Sequence, residues 1–132
     1  MATRSGVYLI VMITKILSFV RQYLMLQDSY RIAFSNPSFE YWYLLHFEKY
    51  VGFLKDSAAV VNILKSRDYL KRYAKNIDVF RELSERQSGA IRNAGERKEE
   101  LTRNGGPVIC RGSNPVTTVY ELVDFLNSRT TV

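Results

Sequence analysis

Two short apolar runs, residues 7–13 (VYLIVMI) and 30–34 (YRIAF), bracket a stretch whose apolar residues recur at helical spacing. The first, rich in β-branched side chains, predicts a strand buried on both faces, and the second is a further short strand candidate. Between them Ile16, Phe19, Val20, Tyr23 and Leu24 predict a helix over 16–26. Strand, helix, strand in that order implies parallel pairing, with a right-handed connection if both strands share one sheet. The expected fold class is therefore α/β: two or three parallel strands, then a mainly helical C-terminal half.

A chain of 132 residues with 46% apolar and 24% charged side chains fits one domain over 1–132 with one modest core. Its net charge of +6 suits a polyanionic partner such as nucleic acid, and equally an ordinary basic domain. One cysteine, Cys110, excludes an internal disulfide framework and fits a reducing, cytoplasmic setting. With one histidine, His46, a Cys/His zinc site is excluded too, so a metal would sit on carboxylates as Mg²⁺ or Mn²⁺. No small-residue cleavage site follows residues 7–13, and Lys15, Arg21 and Gln22 interrupt the apolar stretch. A buried strand is expected there, not a membrane span; a membrane-associated start over 7–27 and a mis-set start are the competing readings.

Residues 35–48, SNPSFEYWYLLHFE, are denser in chemically useful groups than burial requires. Pro37 suits the first position of a helix, Asn36 its N-cap, and Glu40 the positive end of its dipole. Phe39, Trp42, Tyr43, His46, Phe47 and Tyr50 fall on one helical face, and Gly52 is expected to end it. Asp56 or Ser57 caps a second helix through Val60, Val61 and Leu64. A longer one runs from about Asp78, burying Phe80, Leu83, Gln87, Ile91, Ala94 and Leu101, until Gly105-Gly106-Pro107 stops it. Residues 107–112 read as a loop or short strand. A second Ser-Asn-Pro turn then leads to a helix with a Thr118–Glu121 capping box and a buried stripe of Val119, Leu122, Val123 and Leu126. The two Ser-Asn-Pro turns read as independent capping solutions.

Three groups of residues are candidates for chemistry. Asn36 and Glu40 are four apart and can converge, whereas His46, six beyond Glu40, lies about 120° around an ideal helix, which argues against a Glu40–His46 dyad. His46 instead faces Trp42 and Tyr50; the competing reading is a cap plus a core histidine bonded to a carbonyl. Lys65, Arg67, Lys71, Arg72 and Lys75, interleaved with Tyr69 and Tyr73, form either a nucleic-acid surface or a solvated helix face. Cys110 is read as a structural cysteine rather than a nucleophile, its only candidate base lying 64 residues away in the chain. Asn104-Gly105-Gly106 lacks the Lys and Ser or Thr of a phosphate-binding loop.

SNPSFEYWYLLHFE resembles the signature of the RloB-like proteins, a prokaryotic family in which a strand runs into SNP, a variable residue, FE, an aromatic or apolar pair and LLHF. YAKNIDVFRELSERQSGAIRNA and SNPVTTVYELVDFL resemble the family's following regions, so the likeness covers roughly 28–127, with 1–27 a divergent strand–helix start. Ser35, Asn36, Pro37, Phe39, Glu40, Trp42, His46, Phe47, Tyr73 and Lys75 carry over. The resemblance implies a Toprim-like parallel sheet, a part in phage resistance and abortive infection, an AAA-type ATPase partner and Mg²⁺-dependent processing of nucleic acid. On that reading Glu40 supplies or supports a metal ligand, Lys75 contacts phosphate and His46 orients or shuttles a proton. Asn36 joins Lys65, Arg67, Lys71, Arg72 and Lys75 on the nucleic-acid side.

The chain also departs from that pattern. No Asp or Glu precedes Asp28, and Met12, Ile13 and Thr14 stand where the family's Asp-bearing strand should end. It therefore reads as a truncated Toprim-like domain that lacks the early Glu and, by itself, a metal site. The alternative expectation is a catalytically inactive binding or assembly module. A three-stranded sheet also leaves an edge open to pairing with a second copy.

Overall fold

A computed structural model describes residues 7–12, 30–70, 72, 73 and 79–130 of the chain. β1 (Val7–Met12) and β2 (Tyr30–Asn36) pair in parallel, from Val7 opposite Tyr30 to Met12 opposite Ser35, as their order in the chain predicts. The helix expected over 16–26 lies outside the described residues. β3 (Val116–Thr117) completes the order β1-β2-β3, but it joins antiparallel, with Ser35 opposite Thr117 and Asn36 opposite Val116. The sheet is therefore mixed rather than wholly parallel. A two-residue strand carries too little pattern to be read from sequence.

Five helices occur among the described residues: α1 (Glu40–Leu44), α2 (Ser57–Ser66), α3 (Phe80–Ser84), α4 (Gln87–Arg103) and α5 (Val119–Thr130). The fold is mixed α/β, with the helices concentrated after β2. Side chains alternate across β2, as in any strand. Ala33 enters the main core with Tyr41, Leu44, Leu45, Val60 and Leu64. Phe34 turns to the other face and packs with Val116, Ile32, Leu101 and Ile109.

Asp56 caps α2 as expected, its carboxylate accepting from the Ala59 N–H at 2.9 Å. Gly105, at φ +84°, ends α4 in the left-handed region that glycine occupies without penalty. Other boundaries differ from expectation. The predicted long helix is divided at Glu85–Arg86, and Phe80 is 70% exposed rather than buried. Leu126, in the penultimate turn of α5, is also exposed. Residues 107–112 form a loop, tied by Ser113 Oγ donating to the carbonyls of Val108 and Cys110.

The Ser-Asn-Pro turns are the largest correction. Asn36 is the last residue of β2, not an N-cap, and α1 begins only at Glu40 with no side-chain cap. α1 then ends at Leu44, so Gly52 does not close it and Tyr50 lies beyond it. Both Asn-Pro bonds are cis, and the two turns meet rather than standing apart. Asn36 Nδ2 donates to the carbonyls of Cys110 and Arg111, while Asn114 Nδ2 donates to Asn36 Oδ1 at 3.4 Å. Asn114 also pairs with both backbone groups of Leu54, at 2.9 and 2.6 Å. The asparagines serve as backbone surrogates joining three loops, which leaves neither for a helix end. The predicted Thr118–Glu121 box is replaced in the same way. Thr118 Oγ1 accepts from the Phe34 N–H and donates to the Ile32 carbonyl, and the Thr117 hydroxyl takes the first N–H of α5.

Candidate functional site

Glu40 and His46 leave the same short segment in different directions. Glu40 opens α1 and is only 4% exposed. Tyr73 Oη donates to Oε2 at 2.8 Å and Ser57 Oγ to Oε1 at 3.0 Å, so the carboxylate ties α1 to α2 and to the segment after it. Burial alone would raise its pKa; the Tyr73, Ser38, backbone and Ser57 donors outweigh that and hold it below the ordinary value. Burial, together with the same bond, pushes the Tyr73 phenol up.

His46 follows α1 and is 7% exposed. Its Nδ1 lies 2.8 Å from the Trp42 carbonyl, which can only accept, so Nδ1 carries the proton and Nε2 keeps its lone pair. The ring meets Trp42 edge-on at 4.8 Å. Burial lowers its pKa, and the nearby Arg86 charge lowers it further, against the pull of the Trp42 carbonyl; the imidazole is neutral at neutral pH. His46 and Trp42, with Phe39 and Tyr43, form one wall of a cavity of about 320 Å³. Val79, Phe80 and Leu83 face them, and Ser84 and Gln87 add polar groups.

Beside the cavity runs a row of stacked groups. Arg86 lies over the Phe47 ring at 4.9 Å, and Phe47 stacks on Tyr69 at 4.6 Å with the planes 5° apart. Arg67 lies 5.8 Å over Tyr50 and pairs with Glu48, which also accepts from Tyr69 Oη. Aromatic faces and guanidinium groups in one row are the side-chain types that stack on bases and meet phosphates.

A profile of the RloB-like proteins matches residues 17–126. The chain belongs to the RloB-like family. The match begins ahead of the signature motifs and takes in the whole α1 segment, the row beside it and most of α5. No curated protein and no solved structure matches this chain.

Within this RloB-like chain the residues singled out from sequence do not form one cluster. Glu40 and Asn36 turn to different partners, as do Glu40 and His46. Lys65, Arg67 and Arg72 are exposed at and beyond the end of α2, where Arg67 enters the aromatic row. Lys71 and Lys75 lie outside the described residues. Cys110 is half-buried and its thiol faces the Pro107 carbonyl at 3.4 Å. Arg86, Phe80 and Gln87 escaped sequence reasoning because they were read as positions on one long helix. The partners of Glu40 lie 17 and 33 residues away in the chain, beyond any local spacing rule.

The described residues do not assemble a site for the Mg²⁺ that the family resemblance implies. That ion demands near-octahedral oxygen ligands and keeps several waters, whereas Glu40 is buried with both oxygens accepting hydroxyl donors. Among the described residues no group of three His, Cys, Asp or Glu side chains is placed to hold a metal. No described helix is long and apolar enough to cross a membrane.

Proposed function

We propose that this RloB-like chain is a nucleic-acid-binding subunit of a phage-defence system and works beside an AAA-type ATPase. The observation that carries the reading is the row Arg86–Phe47–Tyr69 beside the His46 cavity, on a chain of net charge +6. Guanidinium groups beside aromatic rings combine charge for a phosphate with the side-chain type on which bases stack. Toprim-type, Mg²⁺-dependent processing belongs to the complete assembly on this reading, with carboxylates other than Glu40. The chain itself contributes recognition.

Binding of a labelled single-stranded 12-mer, followed by anisotropy as salt rises, tests this. The logarithm of affinity should fall linearly with the logarithm of salt, by about 0.7 for each phosphate neutralised. EDTA should leave binding unchanged. Absence of saturable binding at low salt would overturn the reading.

A second reading, an assembly module docking the ATPase or another copy of the chain, draws on Val51 and Phe53, which are 45% and 73% exposed in the loop after α1. Phe53→Ser abolishing co-purification with the ATPase, while leaving strand binding intact, would support it.

A further inference from the structure

We infer that the cavity beside His46 receives one unstacked base of a single strand, held between aromatic walls and read along its edge by His46 and Gln87. This rests on the nucleic-acid reading above and names what the site takes. A cavity of about 320 Å³ is at the lower end of the range for small-molecule sites. It takes one flat group rather than a duplex. Phe39, Tyr43 and Phe80 line it with ring surface on which any base can stack, while Trp42 in the same lining is only 5% exposed.

The polar groups distinguish a base from a purely apolar ligand. The bond from Nδ1 to the Trp42 carbonyl leaves Nε2 of His46 as an acceptor, and no described residue donates to it. Gln87 Oε1 already accepts from Asn127 Nδ2 at 2.9 Å, which leaves the Gln87 amide N–H groups as donors. An acceptor and a donor on one lining match the mixed edge that every base carries. The charge distinguishes a nucleotide from a neutral heterocycle. Arg86 stands over Phe47, close enough to His46 to oppose its protonation, and pairs with no carboxylate among the described residues. Its guanidinium is placed for the phosphate attached to the captured base. A base paired in a duplex offers neither its faces nor its edge, so the occupant comes from a single strand.

The test uses the full chain and its only tryptophan, Trp42, which forms part of the cavity wall. A single-stranded 12-mer and an abasic 12-mer with the same phosphates are titrated while anisotropy and Trp42 emission are followed together. Both strands should bind at low salt, and only the base-bearing one should quench Trp42. Phe80→Ala, a change at an exposed position, should weaken the base-bearing strand by about fivefold to a hundredfold and leave the abasic strand unaffected. Equal binding of both strands with equal or no change in Trp42 emission would overturn the base site while leaving nucleic-acid binding intact. If neither strand binds, the nucleic-acid reading fails and this one with it. A nucleoside monophosphate that quenches Trp42 as tightly as the 12-mer would overturn the assignment to a strand.

Discussion

Glu40 and His46 are the two most chemically suggestive side chains of one segment, and their surroundings are opposite. Around Glu40 the molecule is closed: each carboxylate oxygen accepts a hydroxyl donor from another part of the chain. Around His46 it is half open: one ring nitrogen is fixed by a carbonyl and the other belongs to a residue lining a cavity. Burial alone does not separate them, at 4% and 7% exposure. What separates them is where their hydrogen-bonding capacity goes. A buried acid supplied with donors is a strut, and a buried base with a lone pair to spare is, on the proposed reading, a reader.

That contrast can be broken or sharpened by mutation. The largest effect is expected from Glu40→Ala, which orphans the Tyr73 and Ser57 hydroxyls and should cost about 3 kcal/mol in urea unfolding. Asn114→Ala, in the other closed region, removes both bonds to the Leu54 backbone and should cost about 2 kcal/mol. His46→Gln should cost only about 1 kcal/mol, the worth of one hydrogen bond, while impairing base-dependent binding. Arg86→Gln should change stability by less than about 0.5 kcal/mol and flatten the salt dependence by about 0.7. A larger loss of stability from His46→Gln than from Glu40→Ala would dissolve the contrast.

Acid sharpens it further. The folded pKa of Glu40 lies below its unfolded value of 4.5, so its contribution is complete above pH 4.5 and is lost as pH falls through the folded value. The folded pKa of His46 lies below 6.5, so its contribution is complete above pH 6.5 and likewise falls away on the acid side. Urea midpoints should therefore decline in two stages as pH drops. His46→Gln should remove the upper stage and Glu40→Gln the lower, apart from the salt-screened share of Glu48 and Glu100, whose carboxyls are also held low.

Much of the scaffold was legible because it follows local rules. The parallel β1–β2 pair follows from two apolar runs bracketing a helical pattern, α2 from its Asp56 cap, and the end of α4 from Gly105. The Ser-Asn-Pro turns were misread because capping is a local rule and the asparagines obey distant partners. Asn36 reaches Cys110 and Arg111, and Asn114 reaches Leu54. The identical tripeptides were themselves a signal, since two equal turns at the end of one strand pair can bond to each other. At the site, Glu40 and His46 do turn to different partners, although His46 lies beyond the helix on whose angle that expectation rested, and the carbonyl-bonded histidine was among the readings open from sequence. The cavity was not legible. Its second wall, α3, exists only because the helical pattern is interrupted at Glu85–Arg86, where neither Gly nor Pro marks a break.

The most direct test compares Glu40→Gln with His46→Gln in one Trp42-emission titration against the single-stranded 12-mer, each variant first shown to be folded. Glu40→Gln should be the less stable of the two at neutral pH and yet bind and quench as the parent chain does. His46→Gln should keep its fold and lose the quench. A folded Glu40→Gln that no longer binds, beside a His46→Gln that quenches normally, would contradict the assignment of strut and reader.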